Sequence, residues 1–154
     1  MTSFPHLQAR SLEGQWLTLP DEFAGDLNCV VIAFHRHHQR LVNTWLPHLE
    51  AVAAATPGVC FYEMPTISRR WLPARWFIDG GMVQAIADQA ARERTVTVYD
   101  RVSPIVEALG LDGTATIATV LVDRRGDVLW QCSGVFTHDA GAALDQAIAA
   151  GLTR

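Results

Sequence analysis

The sequence predicts an α/β protein: a three-layer sandwich around a mixed central sheet, extended at the N-terminus by a β-hairpin. Three observations carry this prediction. Strand-like apolar runs alternate with amphipathic helical stretches, and strands joined through helices become parallel neighbours. The run Asn28–Phe34 is continuous, apolar and rich in β-branched residues, as suits a central strand covered on both faces. Two late strands, Ala118–Asp123 and Val128–Ser133, flank a tight glycine-containing turn and add antiparallel pairing.

The elements follow in chain order. Phe4, Leu7, Leu12, Trp16, Leu17 and Leu19 are spaced by turn residues, notably Gly14, which predicts a loop and a short hairpin with Gln15–Leu19 as its second strand. After the central strand, Leu41, Trp45, Leu49 and Val52 recur at helical spacing, so residues Gln39–Ala55 read as a helix kinked by Pro47 and stopped by Pro57-Gly58. Val59–Met64 is a strand closed by Pro65. Ile67–Asp79 is irregular, Gly80-Gly81 breaks the chain, and Met82–Arg94 is helical. Thr95–Asp100 alternates like a strand. Ser103 caps a short helix with Pro104 at its first position, and Gly110 ends it. His138–Ala150 is a final alanine-rich helix. No repeat or linker divides the chain, and its 154 residues fit a single domain, 1–154.

Composition narrows the function. The apolar share is 49% and the charged share 18%, which describes a packed globular domain. The formal net charge of −4 argues against nucleic acid as the partner. Every basic side chain apart from histidine is arginine, so Schiff-base lysine chemistry is excluded. The N-terminal residues lack the apolar stretch of a secretory signal, and no apolar run is long enough to span a membrane. The expectation is a cytoplasmic protein with no membrane span. Cys29, Cys60 and Cys132 are odd in number, widely spaced and all in strand-like segments. They form neither a zinc knuckle nor a dithiol motif.

Two stretches hold the candidate chemistry. The central strand runs straight into His35, Arg36, His37 and His38, followed by Gln39 and Arg40. This is the carboxyl end of a strand, where open α/β sheets bind ligands. His35 and His37 would share a side if the strand ran on, His38 would lie near the helix start, and Glu63 at the end of the next strand could join them. His35, His37 and His38 are therefore candidate ligands for zinc or copper, against the plainer reading of a hydrogen-bonded polar loop. The second stretch is Ser68–Trp76, where Arg69, Arg70 and Arg75 alternate with Trp71 and Trp76. Arginine and tryptophan are enriched at interface hot spots, and arginines hold carboxylates or phosphates. The plainer reading is a lid with its tryptophans in the core.

The order of elements resembles the thioredoxin-like superfamily in its peroxiredoxin and TlpA-like form. Two local features carry the resemblance. One is the Val120–Trp130 hairpin with its Asp123-Arg124-Arg125-Gly126-Asp127 turn. The other is register: Phe34 ends the strand, four residues follow, and Pro47 stands where that superfamily has its helix-kinking proline. The resemblance puts Gln39–Val42 where thioredoxins carry C-x-x-C, and puts the peroxiredoxin cysteine at or beside Val42. This chain has no cysteine in either place. The cis-proline site of the family falls at Thr116-Ile117, where proline is absent and an ordinary trans peptide is expected. A second likeness, to a family of ATP-synthase assembly factors, rests on Trp76–Met82 and on Leu121-Val122-Asp123 through Trp130.

Together these readings imply a redox-inactive binding or assembly module for a protein partner or a small anion, without a cofactor and with catalytic cysteines absent. Its surface would be His35–Arg40, Glu63, Arg69–Trp76 and Thr114–Ile117, meeting at one end of the sheet. A thiol-dependent peroxidase or reductase and a metal-binding protein are the alternatives. Homodimerisation through the terminal hairpin or the tryptophan segment stays open.

Overall fold

The computed structural model describes residues 2–67, 94–99 and 102–153. Its strands are β1 (Leu7–Ser11), β2 (Trp16–Leu19), β3 (Leu27–Ala33), β4 (Val59–Ile67), β5 (Val96–Tyr99), β6 (Ala118–Asp123) and β7 (Val128–Ser133). Its helices are α1 (Gln39–Asn43), α2 (Leu46–Ala55), α3 (Ser103–Leu109) and α4 (His138–Leu152). A 3-10 turn, Arg36–His38, precedes α1. The expected irregular segment and helix within residues 68–93 lie outside the described residues, and with them Arg69, Arg70, Trp71, Arg75 and Trp76.

The strands form one mixed sheet in the order β2-β1-β5-β4-β3-β6-β7. β3 pairs in parallel with β4, and β4 with β5. β1 joins β5, β6 joins β3 and β7 joins β6, all antiparallel. The N-terminal hairpin thus widens the sheet rather than packing against it. All of β3 is buried, as its unbroken apolar run predicts. Its alternate residues serve two cores. Val30 and Ile32 pack with Phe4, Tyr62, Met64, Ile105, Leu109 and Val120 on the α3 side. Cys29, Val31 and Ala33 pack with Val42, Trp45, Leu49, Phe61, Leu121, Leu144 and Ile148 on the side of α1, α2 and α4. These two cores are the spaces between the three layers.

Four local expectations are corrected. The helix over 39–55 is two helices, because Pro47 has no N–H to give the Asn43 carbonyl and its ring crowds that carbonyl. The chain turns at Thr44-Trp45, whose amides bond the carbonyls of Leu41 at 3.2 Å and Val42 at 2.9 Å, and Pro47 falls in the first turn of α2. Pro65 does not close β4. It stands where one ladder hands over to the next, Ala33 facing Pro65 in the last pair with β3 and Thr66 facing Val98 in the first with β5. Ser103 is already helical, Val102 being the cap residue, and makes no side-chain cap. The last helix runs to Leu152, its start fixed by Thr137, whose hydroxyl accepts from the Ala140 amide at 3.1 Å. The β6–β7 turn is held as its sequence suggests. Asp123 Oδ1 accepts from the amides of Arg125 at 2.9 Å and Asp127 at 3.0 Å, and Gly126 adopts φ 88°.

Candidate functional site

The carboxyl end of β3 passes into Phe34, His35 and the 3-10 turn, and the loop 114–117 enters β6 at the same end. His38 joins the two. Its Nδ1 accepts the Phe34 N–H at 3.1 Å, which fixes the tautomer, so Nε2 donates to the Ala115 carbonyl at 3.2 Å. The side chain is wholly buried, and burial holds its imidazole below the usual range, more strongly than the Ala115 bond raises it. A neutral His38 is what both hydrogen bonds require, because a protonated Nδ1 could not accept from Phe34.

His35 and His37 do share a side. Their rings stack at 5.3 Å with an interplanar angle of 6°, and both residues are exposed. His38 meets them edge-on at 4.9 and 4.8 Å. The expected three-histidine ligand set is not assembled: both His38 nitrogens are occupied, and a metal would have to displace the Phe34 amide or the Ala115 carbonyl. Among the described residues no group of three His, Cys, Asp or Glu side chains is placed to hold a metal ion.

Glu63 is buried on the helix-covered face of the sheet, opposite Val31 in the ladder. It meets Gln39 rather than the histidines, the Gln39 amide donating to its Oε1 at 3.2 Å and to Asn43 Oδ1 at 2.9 Å. Burial raises the Glu63 carboxyl above the usual carboxylate range. The Gln39 bond opposes that rise, Glu50 adds to it, and Arg94 opposes it. Arg94 lies over the Phe61 ring at 4.4 Å. Thr116 is half-buried, and Ile117 is fully buried with its carbonyl accepting from Gly134 at 2.9 Å. Among the described residues the only cis peptide is Leu19-Pro20, so Thr116-Ile117 is trans as expected. Of the three predicted segments, His35–Arg40 and Thr114–Ile117 therefore meet, with Glu63 behind the first. The third lies outside the described residues.

The thiols sit elsewhere. Cys29 is in β3, Cys60 in β4 and Cys132 in β7, all free. Burial, with smaller contributions from Asp145 and Cys60, pushes the Cys29 thiol up to about 12. Burial also raises Cys132. At the strand-to-helix junction stand Gln39, exposed, and Val42, buried in the core.

One pair escaped the sequence reading. His48 Nε2 and Asp145 Oδ1 lie 2.9 Å apart across α2 and α4, with His48 packed on Phe136 at 5.0 Å. They line a groove of about 420 Å³ with His138, Gly141 and Ala142. The two residues are far apart in sequence and share no motif, so only the docking of the helices could reveal them.

Solved structures match this arrangement over nearly the whole chain. A thiol:disulfide interchange protein from Bacteroides sp. superposes with a TM-score of 0.64 at 18% identity, covering 94% of this chain and 87% of its own. The fold is thioredoxin-like. BsSco, a member of the Sco family of cytochrome c oxidase assembly proteins, superposes on this thioredoxin-like chain with a TM-score of 0.66 at 11% identity, covering 99% and 95%. An Aquifex aeolicus protein described as a putative electron transfer protein gives 0.67 at 11%, covering 97% and 96%. No family model and no curated protein matches the sequence.

Proposed function

We propose that this chain is a thioredoxin-like binding module without thiol redox chemistry, which presents the end of its sheet to a protein partner. The carrying observation is the strand-to-helix junction. A thiol attacks as its thiolate, which needs a cationic neighbour or helix N-terminus and access to solvent. At the junction stand Gln39, exposed at the helix start, and Val42, buried in the core, neither of which is a nucleophile. The buried Cys29 thiol resists ionisation, and Cys132 is shifted the same way. His38 ties the junction to Ala115, so the two loops form one fixed surface.

A redox titration tests this reading. The folded protein is equilibrated in glutathione buffers from reducing to oxidising, then trapped, unfolded and counted for free thiols. The reading expects all three cysteines free at every poise. A pair that closes into an intramolecular disulfide within the glutathione range would contradict it.

The second reading is a reductase or peroxidase using Cys60 or Cys132, favoured by their partial exposure and by the likeness to a thiol:disulfide interchange protein. A metal-binding role that uses all three histidines would need His38 to surrender one of its two hydrogen bonds, and is less well supported.

A further inference from the structure

The segment that forms the rim of the site is strongly one-sided in charge. From Leu27 to Leu49 the chain has no Asp or Glu, although its formal net charge is −4. Arg36 lies in the 3-10 turn and Arg40 in α1, which follows it directly, so both cations belong to one short stretch of the surface. Both are exposed, and among the described residues neither has a carboxylate partner. The stacked and exposed His35 and His37 flank them. The nearest carboxylate in the site, Glu63, is buried and engaged by Gln39, so it does not neutralise the rim.

We propose that the rim His35–Arg40 docks an acidic protein segment, its Asp and Glu side chains pairing with Arg36 and Arg40. This rests on the binding-module reading and names the partner's chemistry. Two like charges on one short stretch without an acid among them favour a partner of opposite charge, and a carboxylate-bearing segment supplies it. Guanidinium groups take carboxylates through paired N–H bonds, which sets orientation as well as attraction. A nucleic acid is disfavoured because the chain as a whole is negative and the cationic rim spans only a few residues. The loop at Ala115 and Thr116, joined to the rim through His38, extends the surface beside the charges, which suits a polypeptide rather than a lone ion.

The test is fluorescence anisotropy with the full chain and a labelled ten-residue peptide rich in Glu and Asp. A single-stranded oligonucleotide of equal charge and inorganic phosphate run as competitors. The expected result is saturable peptide binding that weakens at least tenfold in R36E/R40E and in high salt, with millimolar phosphate competing poorly. R36Q/R40Q, with the same melting temperature as wild type, should lose most of the affinity too. That keeps the test valid if charge reversal disturbs folding. No peptide binding, or binding unchanged in both variants, would overturn the proposal. So would an oligonucleotide that binds more tightly than the peptide, or phosphate that displaces the peptide at equal charge. None of these outcomes touches the thiol titration, so the two readings fail separately.

Discussion

His38 decides how the strand end should be understood. A histidine that closes a run of three reads in sequence as a ligand, yet its ring is buried with each nitrogen satisfied by backbone. Replacing it by alanine leaves the Phe34 N–H buried and unpaired, so His38→Ala should cost about 1–3 kcal/mol from that group alone, read as a shift in urea midpoint. The pH dependence has a definite sign. Folded His38 takes a proton less readily than the unfolded chain, whose imidazoles titrate at about 6.5. Its contribution to stability is therefore fully present above that pH and is lost as pH falls towards the lower folded value. Wild type should lose stability between pH 7 and 5 relative to His38→Ala. An identical pH profile for both proteins would contradict the buried neutral ring. Glu63 works in the opposite direction, its folded carboxyl being raised, so the folded state carries a cost when Glu63 is ionised. Glu63→Gln keeps an acceptor for Gln39 and removes that charge. It should be more stable than wild type at pH 8, with the advantage fading as pH falls and Glu63 protonates. A variant less stable than wild type at pH 8 would show that the charge has a partner worth more than its burial costs. Sequence pattern located these residues at one strand end, but not their roles, because burial and hydrogen bonding at His38 depend on a carbonyl seventy-seven positions away.

At the scale of elements, periodicity located the strands and helices well, since an apolar face repeats every second residue in a half-buried strand and near every fourth in a helix. It failed where two rules compete. Trp45 and Leu49 continue one helical face across Pro47, but the missing N–H splits the helix there. The gap puts Trp45 wholly in the core, its Nε1 donating to Gly134 at 3.0 Å and its ring edge-on to Phe136 at 5.2 Å. A proline weakens a ladder and so Pro65 reads as a stop, while the change of neighbours at that point in β4 leaves no local signal. The docking of α4 gives a direct check on packing. A Cβ on Gly141 would stand 2.7 and 2.8 Å from two Phe136 ring carbons. Helix propensity favours alanine by about 1 kcal/mol, whereas overpacking costs about 1–3 kcal/mol. Gly141→Ala should therefore lose up to about 2 kcal/mol in urea unfolding, despite being a better helix former. A stabilised variant would mean that Phe136 and α4 separate freely.

On the scale of the whole molecule, the fold was legible because element order and the two-faced burial of β3 leave few topologies. The activity was not, because pattern and periodicity report packing and not what a surface binds. The thioredoxin-like frame is retained across the chain, with TM-scores of 0.64 to 0.67 against the three solved structures compared, while their 11–18% identities transfer no chemistry. The central claim, that this frame is used for binding and not for thiol turnover, is tested most directly by catalysis itself. Wild type and a variant with Cys29, Cys60 and Cys132 all replaced by alanine would be assayed for reduction of a protein disulfide and of hydrogen peroxide, with dithiothreitol as reductant. Three single-cysteine replacements would cover the case in which the triple variant fails to fold. The account predicts rates for wild type equal to the protein-free background and no change in any variant. Turnover above background that disappears with one particular cysteine would contradict it and make this chain a thiol enzyme with a displaced nucleophile.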